Sequence, residues 1–305
     1  INMLIKIKEN QLNVNGGKTY NLENGDKLIL FESPNHPRKN LDSIPNFKNF
    51  NDYTNYFKHD SFIHVDNFNR KIRFVRDWPG NIPAFYYHSK LVNELIISDD
   101  INVLAKSVKN LKPSKHGLKL FITGRKHYHG YTIYKEVYTL HAGLCIELDL
   151  KSFNIRTNCW YKPFKKIKIN DPKIAKQSYL DAIDSTILRL IPKEKPSAIM
   201  FSGGSDSTFL LDRMVKLGYK KIDLFTICVN GETLQYNYAN EKAKMFNMEV
   251  KPIYADKKNI FQGWKKLFKL CYHYLSDLRI DGIFAPSVHV LKEIKEYYKG
   301  KPISL

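Results

Sequence analysis

The chain has 305 residues, a formal net charge of +19 at pH 7 and 43% hydrophobic residues, a length for two domains or one large one with enough apolar content for real cores. No stretch reaches the roughly 18 apolar residues of a membrane span, and "INMLIKIKENQL" lacks the long apolar run of a secretory signal, so no membrane is expected. The four cysteines, Cys145, Cys159, Cys228 and Cys271, form no C-x-x-C pair, which argues against zinc or thiol-redox motifs and fits reduced thiols in cytoplasm.

The first half reads as short strands and turns. "MLIKIKE" alternates, "NVNGGKTY" turns, and "DKLILFES" is a second strand. "SFIHVDNFNRKIRFVRD" is a hairpin turning near Asn67–Asn69, and "PAFYYHSKLVNELIISDD" is another around Ser89–Asn93. "INVLAKSVKN" is a short helix, and "TIYKEVYTLHAGLCIELDL" gives two strands around His141-Ala142-Gly143. A β-rich domain therefore spans residues 1–160, and "WYKPFKKIKINDP" reads as a linker.

The period then changes. "DPKIAKQSYLDAIDSTILRLI" has helical spacing, with Asp171 as N-cap and Pro172 at the first helical position. Strand "SAIMF", helix "STFLLDRMVKLG" closed by Gly218, strand "KIDLFTICV", helix "NYANEKAKMFN" and strand "EVKPIYA" follow, then helices to the end. That alternation predicts a parallel α/β domain over 161–305.

"SGGSDST" sits where strand "SAIMF" gives way to a helix, the position where α/β sheets bind ligands. Helix N-termini offer unpaired N–H groups and a positive dipole end to phosphate. Gly203 and Gly204 allow close backbone approach, and Ser202, Ser205 and Ser207 add hydroxyl donors. Asp206 would repel phosphate alone but makes sense with a divalent cation, because Mg2+ takes carboxylate and phosphate oxygens together. A simple capped strand–helix turn is the plain alternative. The loop lacks the Gly-Lys-Ser/Thr of a Walker loop.

"FSGGSDS" resembles the S-G-G-x-D-S loop of the ATP pyrophosphatases of the asparagine synthetase, GMP synthetase and NAD synthetase type. "RDWPGNIPAFYY" with "LIISDDINVLA", "TIYKEVYTLHAGLCIELDL", Trp160, "DLFTICVNG" and "YHYLSDLRIDGIFAPSVHVLKEI" are similar, in order, to stretches of asparagine synthetase and its relatives. The resemblance implies an amidotransferase-like β-rich sandwich followed by an ATP-pyrophosphatase domain, with ATP and Mg2+ as cofactors. It implies that Ser202, Gly203, Gly204, Ser205, Asp206 and Ser207 bind pyrophosphate, that Asp206 holds the metal, and that the backbones of Phe201 and Ile227 flank adenine. The implied reaction adenylates a small-molecule or peptide carboxylate, releases pyrophosphate and forms an amide with an amine.

Two departures shape the expectation. Met3 is followed by Leu4 and the first cysteine is Cys145, so the terminal cysteine that serves glutamine hydrolysis in this family has no counterpart. Glutaminase activity is expected to be absent, as in the β-lactam synthetases and lasso-peptide cyclases. The family's second pyrophosphate loop, S-G-E-x-x-D-E, has no match before Leu305, so the second domain is expected to be truncated and no catalytic residue is assigned.

The positive charge admits a nucleic-acid partner, but the lysines are scattered. Adenylating tRNA-modifying enzymes use the same loop, yet they usually open with it, and 200 residues precede it here. A non-catalytic ATP-binding scaffold is a further alternative. His116, His127, His129 and His141 gather no acid or cysteine at metal-site spacing and read as solvated or core-edge histidines. The aromatic stripe of "KLFKLCYHYL" reads as core packing. Oligomeric state is not legible.

Overall fold

The computed structural model describes residues 3–32, 50–124, 130–161, 169–231, 233–271 and 284–304. The chain forms two compact units, one holding Ile1–Lys165 with Cys271–Arg279 and the other Lys166–Leu270 with Ile280–Leu305. Among the described residues, no helix is long and apolar enough to cross a membrane.

The first unit is built from two antiparallel sheets. One comprises β1 (Leu4–Lys8), β2 (Gln11–Asn15), β7 (Phe85–Ser89), β8 (Glu94–Ser98) and β9 (Val137–Thr139), in the order β2-β1-β8-β7-β9. The other comprises β3 (Lys18–Asn21), β4 (Lys27–Phe31), β5 (Ser61–Asp66), β6 (Lys71–Val75), β10 (Leu144–Asp149) and β11 (Ile155–Cys159), in the order β11-β10-β6-β5-β4-β3.

Alternation along these strands sorts side chains into layers. Ile5, Ile7, Leu95 and Ile97 of the first sheet meet Ile29, Ile63, Phe74 and Ile146 of the second in one core. The opposite faces are covered separately. Leu28, Leu30, Phe62 and Val75 pack with Tyr53 of α1 (Phe50–Tyr56), while Phe85, Tyr87 and Ile96 pack with Ile101 and Leu104 of α2 (Ile101–Ser107). The result is a helix–sheet–sheet–helix sandwich.

The expected hairpins at Asn67–Asn69 and Ser89–Asn93 form, with β5 paired to β6 and β7 to β8. "NVNGGKTY" is more than a turn. Only Gly16 and Gly17 turn, both at positive φ, and β2 and β3 lie on either side. α1, α3 (Lys115–Gly124) and β11 were not expected. The putting together of α1 and the outer sheet face buries a row of charges: His64 Nε2 lies 3.2 Å from Asp26, and Arg73 spans from Asp66 (3.0 Å) to Glu147 (2.7 Å).

The second unit holds a parallel three-stranded sheet, β12 (Ser197–Met200), β13 (Ile222–Val229) and β14 (Val250–Ala255), in that order. The helices are α4 (Pro172–Leu190), α5 (Ser205–Lys216), α6 (Leu234–Lys244), α7 (Lys257–Cys271) and α8 (Phe284–Tyr297). Ile187 of α4, Leu211 and Met214 of α5, and Ala239 and Ala243 of α6 share one core with Ile199 and Leu224. Val290 and Ile294 of α8 share another with Ala198, Phe225 and Ile253. The sheet is therefore covered on both faces, as parallel strands require.

Local signals act as the sequence anticipates. Asp171 caps α4, accepting from Lys173 N at 2.7 Å and Ile174 N at 3.4 Å, with Pro172 opening the helix. Gly218, at φ +83°, ends α5, and Tyr219 N donates back to Met214 O at 3.1 Å. Arg213 of α5 grips Asp184 of α4 with two nitrogens, Nε at 2.8 Å. The linker stretch 162–168 and the segment 272–283 lie outside the described residues.

Candidate functional site

β12 ends at Met200, and its neighbours locate the ligand end of the sheet. On one side lies β13. On the other, Ser304 forms a parallel bridge to Ser197, with Ala198 N donating to Ser304 O at 2.8 Å. α5, which follows β12, packs on the face that carries Ile199, and α8, which precedes Ser304, packs on the face that carries Ala198. β12 is therefore flanked by a reversal of strand order, the place where open α/β sheets leave a crevice beyond their carboxyl ends.

Phe201 through Ser207 occupy that place. Phe201 is 1% exposed and its N–H donates to Phe225 O at 2.7 Å, so the chain leaves the sheet only after this residue. Gly203 turns at φ +74°. A Cβ there would stand 3.0 Å from Ala239 Cα and 3.0 Å from Tyr238 Cδ1, so the loop lies directly against α6. Glycine is required by both conformation and space.

Gly204 is the N-cap of α5 and offers no side-chain bond to it. The first helical bond runs from Thr208 N to Gly204 O at 3.0 Å, which leaves the N–H groups of Ser205, Asp206 and Ser207 without intrahelical partners. Hydroxyls brace the turn from inside. Ser207 Oγ donates to Gly204 O at 3.2 Å, Thr208 Oγ1 donates to Gly203 O at 3.2 Å, and Gly204 N donates to Ser202 Oγ at 3.3 Å.

Asp206 is exposed in the first turn of α5, and its carboxylate accepts from Ser205 Oγ at 3.3 Å. Asp100 and Asp171 each precede their helix and accept from two backbone N–H groups of its first turn. Asp206 follows the cap position, and no backbone N–H bond to it occurs among the described residues. Its charge is compatible with the positive helix end but is not spent on capping.

A cleft of about 480 Å3 opens beside the loop, bordered by Phe201, Ser202, Phe225, Ile227, Gln235 and Val290. It brings Phe201 and Ile227, expected to flank a base, to one cavity with Ser202. Asp206 and Ser207 border a second cleft of about 420 Å3 along the outer edge of β12. The loop thus borders both clefts, Phe201 and Ser202 on the first and Asp206 and Ser207 on the second, and both have mostly apolar walls.

Among the described residues, no group of three or more His, Cys, Asp or Glu could hold a metal ion. A metal at this loop would therefore draw on Asp206 and on oxygens of its ligand. His127 and His129 lie outside the described residues, and so does most of the "YHYLSDLRIDGIFAPSVHVLKEI" stretch. Sequence reasoning missed Gln235 and the wall formed by Tyr238 and Ala239. The small residues Ala239 and Ala243, one turn apart on α6, were the available sign of a close approach.

The chain matches no protein-family model and no curated protein.

Proposed function

We propose that the chain is an asparagine synthetase-like, ATP-dependent ligase that adenylates a carboxylate, releases pyrophosphate and forms an amide without hydrolysing glutamine. The observation that carries this reading is the Asp206 carboxylate standing uncapped among open N–H groups where β12 meets α5.

The residues fit the substrates in distinct ways. The N–H groups of Ser205, Asp206 and Ser207 would meet the phosphate chain of ATP, and the hydroxyls of Ser202 and Ser207 would turn from their bonds within the loop to join them. Phe201 and Ile227 border the cleft that takes the base. Asp206 would hold Mg2+, which supplies charge neutralisation on the phosphates when bound.

A carboxylate oxygen of the substrate attacks the α-phosphorus, and the bond from that phosphorus to the bridging oxygen breaks. Negative charge grows on the departing pyrophosphate. Preorganised N–H donors at that oxygen stabilise the transition state more than the ground state. The amine then attacks the acyl adenylate, and AMP leaves. The amine is part of the substrate or free ammonia.

The test is pyrophosphate release and ATP–pyrophosphate exchange by the full chain with ATP, Mg2+ and a panel of carboxylic acids. Acid-dependent exchange is expected. ATP binding without exchange for any acid would favour a scaffold role. Salt-sensitive retention of RNA together with RNA-dependent exchange would favour the RNA-modifying alternative.

A further inference from the structure

Beyond the charge a bound Mg2+ would bring, a polyphosphate gains from cationic side chains as well as N–H dipoles, because charge-assisted bonds are the strong ones. The Ser202–Ser207 loop carries no cation, and Asp206 adds a negative charge. α5, behind the loop, carries Arg213 and Lys216, but Arg213 is held by Asp184 and Lys216 Nζ lies 2.9 Å from Asp212. Lys251 of β14 is bound to Asp223. These cations are already committed to carboxylates.

α6 differs. Tyr238, half-exposed, is the side chain against which Gly203 packs. Lys242, one turn further along the helix, holds Nζ 5.4 Å from the centre of the Tyr238 ring. Among the described residues Lys242 makes no ion pair. Its ammonium therefore rests on an aromatic face next to the loop, a weak attachment compared with a salt bridge to phosphate.

We propose that Lys242 is a phosphate-binding cation of this site, which leaves the Tyr238 ring to pair with the phosphate chain of the bound nucleotide. The proposal rests on the nucleotide reading given above. It assigns two roles to α6: Tyr238 and Ala239 shape the loop, and Lys242 supplies the positive charge the loop lacks.

The test is calorimetric binding of ATP and of adenosine, with and without Mg2+, to the full chain and to its Lys242→Met, Lys242→Gln and Lys242→Arg variants. The two neutral variants should bind ATP about tenfold or more weakly, the scale of a charged hydrogen bond. Lys242→Arg should retain most of the affinity, and adenosine should bind all four proteins alike. The salt dependence of ATP binding should be shallower in the neutral variants. Melting curves establish that each variant is folded. Equal ATP affinity in wild type and folded neutral variants overturns the proposal. So does an equal loss for adenosine, which would make Lys242 a structural support for the cleft. If the wild-type chain binds no ATP, the nucleotide reading itself falls and this proposal with it.

Discussion

Ser202 Oγ and Ser207 Oγ stand 3.3 Å apart, closing the turn between β12 and α5 across its open side. Each hydroxyl has a single proton, and both are engaged within the loop. An anion seated at the helix end would compete for these protons, so the loop offers donors that are already oriented. Removing either hydroxyl should loosen the turn as well as weaken the anion's grip.

Asp206→Asn keeps the shape of the side chain and removes its charge. Because the carboxylate accepts no backbone N–H bond among the described residues, the melting temperature should hardly move. ATP–pyrophosphate exchange should fall by about 10²-fold or more, the scale of losing one electrostatic stabiliser. Wild-type exchange at low Mg2+ would show that the acid plays no part in holding metal.

Gly203→Ala places a methyl group against the backbone of Ala239 at a left-handed position. A loss of about 1–3 kcal/mol in stability is expected, together with loss of nucleotide binding. Gly218→Ala is the control, since it shares the positive φ but faces open space. It should cost stability while leaving ATP affinity intact. Chemical denaturation and ATP titration of the two variants separate strain from contact.

Asp171→Ala removes the two cap bonds of α4. The expected cost is about 1 kcal/mol in unfolding free energy, read from urea melts. Exchange activity should not change, in contrast to Asp206→Asn. The pair tests the distinction between an acid that caps a helix and one that faces a ligand.

The first unit should respond to acid through two groups of opposite sign. Burial pulls the His64 imidazole below its ordinary value despite the neighbouring Asp26, and Arg73 lowers it further. From about pH 6.5 downward the unfolded chain takes up a proton that the folded chain refuses, so stability falls as pH falls through that window. Burial pushes the Asp99 carboxyl up to about 6. Between its ordinary value of 3.8 and about 6 the folded chain binds the extra proton, so this group adds stability as pH falls. Thermal melts at pH 7.5 and 5.5 should show a smaller acid loss in His64→Gln and a larger one in Asp99→Asn. Identical slopes in all three proteins would overturn the assignment.

Much of this architecture was legible because local and long-range signals agree. Asp171-Pro172 marks a helix start, and the turns at Asn67–Asn69 and Ser89–Asn93 mark hairpins between alternating apolar residues. What escaped lacks that agreement. β11, "IRTNC", is largely exposed and shows no apolar alternation, so pairing with β10 rather than burial defines it. β2 and β3 are short and polar, and the Gly16-Gly17 turn masked them. At the candidate site, the loop residues could be read from "SGGSDS". The approach of α6 left only a faint sign in the small residues Ala239 and Ala243, since Tyr238 meets Gly203 through packing alone.

The two-nitrogen grip of Arg213 on Asp184 has a bearing on how the loop would meet its ligand. It fastens α5 to α4 near the far end of α5, away from Ser205. A helix pinned there resists sliding along its own axis past α4, so its N–H groups hold their position relative to that helix. Reorganisation on anion binding would then fall to a few side-chain rotations, and the field at the helix tip would exist before any ligand arrives. Cutting this fastening would free α5 to shift along its axis, from a point roughly two helical turns behind the site.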